Sequence, residues 1–490
     1  MVAFKLGSNN KLLTVLYVIF LVLIFNAYDG ETSNVAYFEA FKPVGNNAKK
    51  VAIIGAGVGG ASTAYYLSKA FANSSVHLQT TIYERSFHIG GRCRALEIPY
   101  GNRTYVVEVG ASIFIDVNYH MTNASKEFGF KFRKPPADMR VGIWDGEQFV
   151  FEESKWYYVN VLKILWKYGL APMRVKNMTR DKVRRFLSVY NYPSPFTDIR
   201  SLSHALGLGN EPQHTAEHYL KNLNNVYHLY LSHFVEPATR VNYGSNLDDI
   251  HALGGFISLA PEGAKGVEGG NYQVMVEFVN RSGATVKLGN AVKKVRKISD
   301  YGKTKYEVVG SDEKAEVFDA VVLAAPIQFT NIHFENIKVN HLPEIPYRTL
   351  HVTFVIGRLN WKYFKHSSYE SLPEYILTTK TSTKFNSIGT SHILPDGNAI
   401  IKIFSEKELM DGDLDELFER WSWVYRKVWK AYPQLLPNQT YPPVEIEDGF
   451  YYVNSFEPLI SAMETEAVSG NNIARLIHER WEKFDIKAKL

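Results

Sequence analysis

The sequence predicts an α/β protein of two interleaved domains, and three observations lead to this prediction. The chain has 490 residues, which is too long for one compact domain. A short apolar, β-branched run, Val51 to Ile54, leads into a glycine-rich turn and then into helical periodicity over residues 61–72. Two other blocks, residues 135–254 and 331–440, mix short strand and helix patterns without any glycine signature.

The first 28 residues have the pattern of a secretory signal peptide. Lys5 and Lys11 precede the apolar run "LLTVLYVIFLVLIF", and small or polar residues follow. This run is shorter than the ~20 residues that cross a bilayer, although an uncleaved anchor stays an alternative. Entry into the secretory pathway also agrees with six Asn-x-Ser/Thr glycosylation sequons, at Asn73, Asn102, Asn123, Asn177, Asn280 and Asn438.

Composition narrows the class of protein further. With 46% hydrophobic and 21% charged residues the chain is globular, and its net charge of +5 is not gathered into a Lys/Arg run that would bind nucleic acid. Cys93 is the single cysteine, so no intrachain disulfide can form and we expect a buried thiol. No metal-ligand spacing is present, so no metal site is predicted.

The stretch "VAIIGAGVGG" predicts a Rossmann-type dinucleotide site. Gly55, Gly57 and Gly60 form G-x-G-x-x-G between the first strand and helix, where the absence of side chains allows a tight turn and close approach of a pyrophosphate. A second strand, "LQTTIYE", ends in Glu84, at the distance expected for an acid that binds a ribose. At this point nicotinamide and flavin dinucleotides fit equally well.

Later segments favour FAD, because they resemble those of the amine-oxidase-like flavoproteins. "FHIGGRCRA" contains Gly91 and Arg92 of a G-G-R segment, which in that superfamily passes beside the pyrophosphate and flavin. "VEVGASIF" resembles the strand and turn that border the flavin ring, with Gly110, Ala111 and Ser112. "VEGGNYQVMVEFV" and the strand after it would place Val292 over the adenine, and "FDAVVLAAP" resembles the strand that returns to the nucleotide domain.

The last cofactor segment is "FEPLISAMETEAVSG". Ser461 and Glu464 form S-x-x-E, which predicts a capping box at the start of a helix. This segment resembles the flavoprotein segment that faces the flavin. The resemblance implies that Ser461, Ala462 and Met463 face the flavin, and that the helix dipole favours negative charge on the reduced ring. A well-capped terminal helix without a ligand is the alternative.

Cofactor segments at the start, middle and end of the chain imply a discontinuous domain. We assign residues 50–134, 255–330 and 441–490 to a Rossmann-type FAD-binding domain, and residues 135–254 and 331–440 to an α+β substrate-binding domain. In the second domain, "LHVTFVIGRL" and "NAIIKIFS" are predicted strands and "LDELFERWSWVYRKVWKAY" an aromatic helix.

The same domain contains an amphipathic helix in "SKWYYVNVLKILWKYGL". Its apolar face, with Tyr158, Leu162, Leu165 and Trp166, is expected to pack in the core. A membrane-facing surface and a wall of a greasy pocket are the alternatives.

Segments outside the cofactor motifs give a narrower resemblance. "SIFIDVNYHM", "GIWDGEQFVFEESKWYYVNVLKILWKYG", "EPATRVNYGSN" and "YYVNSFEPLISAMETEAVSG" together resemble the prenylcysteine oxidase family, over about residues 51–481. The resemblance implies an FAD-dependent oxidoreductase that cleaves the thioether of farnesyl- or geranylgeranyl-cysteine from the breakdown of prenylated proteins. Hydride would pass from prenyl C1 to flavin N5, giving cysteine, an isoprenoid aldehyde and, with dioxygen as acceptor, hydrogen peroxide.

Candidate catalytic and substrate residues come from a few polar side chains. His120 and His251 could guide the water or bind the amino-acid end, although a lone histidine is more often structural. Arg240, Asn242 and Tyr243 could bind the substrate carboxylate, with a structural salt bridge as the alternative.

Other functions and locations stay open from the sequence. A flavin oxidase of amines or of another lipid-like substrate, and a secreted lipid-binding flavoprotein without activity, are the alternatives. The family resemblance implies a lysosome, with secretion as the alternative, and membrane association is possible but not required.

Overall fold

The computed structural model describes residues 48–133, 139–260, 263–382 and 384–489. The predicted signal peptide, residues 1–28, lies outside the described residues. Among the residues described, no helix is long and apolar enough to cross a membrane.

A six-stranded sheet carries the glycine-rich turn. Its strands are parallel apart from one edge hairpin, and the first strand lies at the centre with Ile53 opposite both Ile82 and Val322. Both neighbours of this strand are largely buried, as expected for a parallel sheet covered on two faces, although only Ala320–Leu323 is wholly apolar. In spatial order the strands are Glu445–Glu447, Phe450–Tyr452, Ala320–Leu323, Lys49–Ile54, Leu78–Glu84 and Thr285–Leu288.

A second sheet has seven strands, is mostly antiparallel and is called the large sheet here. Its strands in order are Phe418–Pro433, Tyr347–Leu359, Ala399–Ser405, Ser387–Ile393, Tyr375–Thr378, Val141–Trp144 and Phe149–Glu152. A four-stranded sheet contains Ala315–Phe318, Lys303–Gly310, Val292–Asp300 and His333–Glu335. Two strand pairs complete the sheets, Ala95–Tyr100 with Arg103–Glu108 and Phe132–Arg133 with Gly266–Val267.

Helices cover the six-stranded sheet and one side of the large sheet. The α-helices are Val58–Ala70, Tyr119–Glu127, Tyr157–Tyr168, Ala171–Leu187, Ile199–Ala205, His228–Tyr230, Glu236–Tyr243, Ala252–Ser258, Tyr272–Ser282, Asp411–Leu417 and Met463–Lys489. Short 3₁₀ turns are Ser188–Asn191, Glu211–Gln213, Ile327–Phe329, Val339–His341, Tyr369–Ser371 and Val453–Ser455, and π-helical turns are His218–Leu223 and Leu231–Val235.

The buried core follows the sheets but crosses the predicted domain limits. Phe186 and Ile199, from the predicted substrate domain, pack in the same apolar cluster as Ile53 and Val322 of the nucleotide sheet. In the other direction, Val107 packs against the large sheet. Residues of both predicted domains therefore pack together in each of these two apolar clusters. A ligand can lie in the space between the clusters.

The predicted aromatic helix is wrong over most of its length. Only Asp411–Leu417 is helical, and Phe418–Pro433 is a 16-residue edge strand paired with Tyr347–Leu359. Aromatic and β-branched side chains favour a strand, and bulges in the pairing blur the alternation that would have indicated one.

The helix Tyr157–Tyr168 forms as predicted. The prediction that its apolar face packs in the core is wrong. Ile164 and Tyr168 are buried, whereas Leu162 and Trp166 point into solvent among the described residues. Both faces of this helix are apolar, so the sequence pattern did not identify which one is covered.

Candidate active site

One large cavity, about 840 Å³, lies where the strands of the six-stranded sheet end and the large sheet begins. Its walls include Ile54, Glu84 and Ala324, which sit at or just after the carboxyl ends of three neighbouring parallel strands. This edge of an open parallel sheet is where α/β proteins bind ligands. All predicted cofactor residues except Gly60 line the cavity: Gly55, Gly57, Glu84, Gly91, Arg92, Gly110, Ala111, Ser112, Val292, Ser461, Ala462 and Met463.

Two glycines of the turn have different roles. A Cβ on Gly60 would lie 1.9 Å from the carbonyl oxygen of Gly55, so Gly60 allows the helix to pack on the strand and does not face the cavity. A Cβ on Gly57 would meet only Gly91 Cα, at 3.9 Å, and would otherwise enter the cavity. Gly57 begins the helix without a side-chain cap, so the first N–H groups are free of a capping side chain and suit a phosphate.

Glu84 joins the turn to the second strand. Its side chain is buried, with Oε2 accepting from the Ala56 N–H at 2.8 Å and Oε1 accepting from the Ser86 N–H at 2.8 Å. These bonds hold the carboxylate beside the cavity, the position predicted for a ribose-binding acid.

Arg92 links the G-G-R segment to the end of the chain. It donates to the Ala431 carbonyl at 2.9 Å and forms an ion pair with Glu457, which also accepts from the Tyr347 hydroxyl. Burial disfavours the charge of Arg92, but Glu457, Tyr347 and Glu466 together more than offset this and raise the Arg92 pKa. The positive charge therefore persists at the cavity wall.

Lys402 supports the turn around Gly110 to Ser112, and sequence reasoning missed it. Its Nζ donates to the Glu108 carbonyl at 2.7 Å and to Ser112 Oγ at 3.2 Å. Burial lowers the Lys402 pKa to about 7. A lysine in a strand that otherwise reads "AIIKIFS" could have been noticed as a buried charge, but no local motif gives its partner.

The terminal helix starts as predicted at the cavity, but the predicted capping box is wrong. Ser461 Oγ lies 3.4 Å from Glu457, and the Ala462 N–H donates to Thr465 Oγ1 at 3.1 Å. Glu464 instead accepts from the N–H groups of His120 and Met121, at 2.8 and 3.0 Å, and so caps the neighbouring helix Tyr119–Glu127. That helix has no side-chain cap of its own.

Cys93 is a packed thiol beside the cavity. Its Sγ lies 3.2 Å from Met463 Sδ and 3.7 Å from the Ala111 carbonyl, and the residue is buried. Burial raises the pKa of the thiol well above its usual range, so it is not an activated nucleophile.

Beyond the cofactor segments, the cavity has an apolar wall. Four of its members come from the predicted substrate domain and one, Ile257, from the helix Ala252–Ser258: Val183, Phe186, Leu187, Val241 and Ile257. Phe186 packs edge to face on Phe456, just before the terminal helix. No sequence motif indicated this wall, because its residues are ordinary core residues at distant positions.

Two of the predicted substrate-binding residues reach the cavity. Asn242 and Tyr243 line it, and the Tyr243 hydroxyl donates to the Ser461 carbonyl at 3.1 Å. Their role in binding substrate stays a prediction. Arg240 is buried elsewhere, and its guanidinium donates to Thr378, Asn246, Ser382 and Asn386. The position of Arg240 therefore does not support the predicted role in binding the substrate.

Neither predicted catalytic histidine lines the cavity. His120 Nδ1 hydrogen-bonds the Tyr66 hydroxyl, and His251 Nδ1 accepts from the Gly254 N–H at 2.9 Å and caps a helix. Burial lowers the pKa of each to about 4, so both rings are neutral at physiological pH. Their position does not support a catalytic role.

The residues present fit a dinucleotide with a bulky ring system. The cavity has an open, uncapped helix start at Gly57, a cation at Arg92 and a carboxylate at Glu84. Five buried polar atoms in lining residues lack a hydrogen-bond partner among the described residues: Tyr83 Oη, Trp429 Nε1, Tyr432 Oη, Asn454 Oδ1 and Glu466 Oε1. Buried polar groups are normally paired, so these atoms point to a polar occupant.

Comparison with known proteins agrees with this geometry. A model of the prenylcysteine lyase family matches residues 151–488, and one of an NAD(P)-binding Rossmann-like domain matches residues 53–128. Prenylcysteine oxidase 1 of Mus musculus is 32% identical over 464 residues, covering 88% of this chain and 89% of the relative. Farnesylcysteine lyase of Arabidopsis thaliana is 31% identical over 453 residues and covers 88% of each chain.

Solved structures support the fold alone. Cyclohexylamine oxidase from Brevibacterium oxydans aligns with a TM-score of 0.57 at 13% identity, covering 89% of this chain and 100% of that one. The α/β fold with a Rossmann-type domain is therefore confirmed.

Proposed function

The chain belongs to the prenylcysteine lyase family, and from that premise we propose that it is an FAD-dependent oxidase that cleaves the thioether bond of prenylcysteines. One observation supports this most strongly. Residues from the start, middle and end of the chain meet at a single cavity, which continues from dinucleotide-type contacts into an apolar wall. A cofactor and a lipid-like substrate can therefore share one enclosed space.

The protein holds FAD with its own polar groups. Gly57 and the helix start behind it would receive the phosphates, Glu84 would bind the ribose, and Val292 would cover the adenine, since all three residues line the cavity. Arg92, Ser461 and Ala462 lie toward the ring system, where the N-terminus of the terminal helix favours negative charge. Bound FAD supplies a hydride acceptor for prenyl C1 and passes the electrons on to dioxygen.

The protein's part in the chemistry is mostly positioning. Prenyl C1 is allylic and bonded to sulfur, and both features stabilise positive charge there. Once C1 has lost its hydride, water adds to it with loss of one proton, and the hemithioacetal collapses to the aldehyde and cysteine. No O–H proton has to leave during hydride transfer, so no strong base is obligatory. Phe186, Leu187 and Ile257 receive the prenyl chain and keep bulk water from C1, while Tyr243 borders the same space.

The finer features of the function are also proposals. Dioxygen is the electron acceptor, which makes hydrogen peroxide the third product. The protein acts in the lysosome after entry by a signal peptide, and this activity does not require membrane association. All six sequon asparagines are exposed, which supports glycosylation in the secretory pathway.

Product analysis tests the proposal. Purified protein incubated with farnesylcysteine in air should release cysteine, farnesal and hydrogen peroxide in equal amounts. The fold likeness to an amine oxidase makes a primary-amine panel the informative comparison. Turnover of amines without release of cysteine from farnesylcysteine would replace this function with the alternative of an amine-oxidase-like enzyme.

A further inference from the structure

A contiguous apolar surface is exposed far from the glycine-rich turn. It is defined by Trp156, Tyr158, Leu162, Leu165, Trp166 and Leu170, and is called the apolar platform here. Trp166 is 91% exposed, Tyr158 79% and Trp156 75%. Single exposed apolar side chains are normal on a protein surface, but a group of this size on one helix marks an interaction site.

Folding of the described chain does not need these side chains. The opposite face of the same helix supplies the core, where Ile164 and Tyr168 are buried beside Phe151 and Phe234. A helix that is apolar on both faces is expected to be covered on both. The platform therefore lacks the cover that its composition predicts among the residues that the structure describes.

The basic residues around the apolar platform indicate which kind of partner covers it. Between residues 155 and 174 the chain has four basic residues, Lys155, Lys163, Lys167 and Arg174, and no acidic ones. Arg174 donates to the carbonyls of Asn224 and Asn225, in a segment that also exposes Leu223 and Tyr227. Trp and Tyr at the edge of an apolar, basic helix are typical of segments that lie in a membrane interface.

The helix Ala171–Leu187 joins the platform to the active-site cavity. It begins next to Leu170, and Val183, Phe186 and Leu187 near its other end form part of the apolar wall. A helix of this length spans about 25 Å. A bilayer at the platform would thus lie about one helix length from the place where a prenyl chain is received.

We propose that the apolar platform seats the protein on the surface of a bilayer that contains anionic lipid. The idea that prenylcysteines then pass from the bilayer to the cavity rests on the proposed function, whereas docking itself does not. Trp166 and Leu162 enter the interface, and the exposed Lys155 and Lys163 lie at the level of the lipid headgroups.

Vesicle sedimentation of the full chain tests the docking. The double variant Leu162→Ser/Trp166→Ser should lower partitioning onto phosphatidylcholine–phosphatidylserine vesicles about tenfold or more, because two inserted side chains are lost. Lys155→Gln/Lys163→Gln should weaken binding about fivefold per lysine on these vesicles and leave binding to phosphatidylcholine alone unchanged. A matched control is Tyr301→Ser/Ile393→Ser, which removes two exposed apolar side chains from strand ends outside the platform and should bind like the wild type.

Retained flavin absorbance shows that each variant is folded, and sedimentation needs no substrate, so the result is independent of farnesylcysteine turnover. Absence of vesicle binding by the wild type would overturn the proposal. So would equal binding by the platform variant, or a wild-type dimer that Leu162→Ser/Trp166→Ser converts to a monomer, since a second copy would then be the cover.

Discussion

At the scale of single residues, the glycine-rich turn separates two jobs that the motif alone does not distinguish. Gly60 serves packing, because any side chain would collide with the Gly55 carbonyl. Gly57 serves the ligand, because its missing side chain leaves cavity space and its backbone conformation, with φ −73°, is open to any residue.

Replacement of these glycines should therefore give opposite results. Gly57→Ala should leave the unfolding free energy of the apoprotein within ~0.5 kcal/mol of the wild type, while bound FAD falls about tenfold or more, because the methyl group blocks the phosphate approach. Gly60→Ala should destabilise the fold by about 1–3 kcal/mol or more through the clash. Denaturant unfolding and flavin absorbance measure the two effects. Gly412→Ala, at an exposed helical position with open space, is the control, and equal FAD loss there would contradict the assignment.

Buried carboxyl groups give the fold a pH dependence, and Glu236 is a clear case. It is 6% exposed, its Oε1 accepts from the Leu247 N–H at 3.3 Å, and burial raises its pKa to about 7. Arg240, one turn along, opposes this shift only weakly because its donors are used by other residues. The folded state therefore favours the protonated form of Glu236.

The sign of the resulting effect follows from that raised pKa. The stability that protonation gives is complete below about pH 4.5 and is lost as the pH rises through about 7. Glu236→Gln should thus match the wild type near pH 4.5 and exceed its unfolding free energy by about 1–3 kcal/mol at pH 7.5. Denaturant unfolding at both pH values measures this. Glu217→Gln, in an exposed pair with Lys221, should change little at either pH, and an equal gain at both pH values for Glu236→Gln would refute the linkage.

At the scale of elements, the active site depends on contacts between segments that are distant in the chain. Glu464 belongs to the terminal helix, yet it caps the helix Tyr119–Glu127 and accepts from the Tyr190 hydroxyl at 2.7 Å. The carboxylate thus holds two helices and a 3₁₀ turn together directly behind Ser461 to Met463.

Removal of this carboxylate should loosen the site and the fold together. Glu464→Ala should lower the unfolding free energy by about 1–3 kcal/mol, because two buried N–H groups lose their acceptor, and FAD retention should fall with it. Glu464→Gln keeps one acceptor and should cost less. Glu277→Ala, in a surface pair with Arg281, should change stability by less than ~0.5 kcal/mol. Stability losses that do not differ between Glu464→Ala and Glu277→Ala would argue against the capping role.

The separation along the chain between contacting residues explains which features the sequence could predict and which it could not. The turn around Gly57, the strand to Glu84 and the start of the terminal helix were predictable because each depends on neighbours within a few residues. The strand Phe418–Pro433 was mistaken for a helix because its state is decided by pairing with Tyr347–Leu359. Arg240 and Lys402 show the same limit, since their roles depend on partners 138 and 290 or more residues away along the chain.

At the scale of the whole molecule, two sheets and the helices around them line one cavity with residues from the start, middle and end of the chain. The six-stranded sheet supplies the dinucleotide contacts, while the large sheet and the helix Ala171–Leu187 supply the remaining walls. The helix also connects this cavity to the apolar platform. The architecture thus combines the predicted cofactor contacts with an apolar wall in one cavity.

The account as a whole predicts that an oxidised flavin in this cavity takes electrons from a prenyl thioether. The most direct measurement is anaerobic mixing of the purified yellow protein with farnesylcysteine while the flavin absorbance is followed. The account predicts bleaching of the flavin to its two-electron reduced form, with release of one cysteine thiol per flavin, and return of the colour when air is admitted. A flavin that stays oxidised with farnesylcysteine, or a protein that cannot be loaded with FAD, would contradict it.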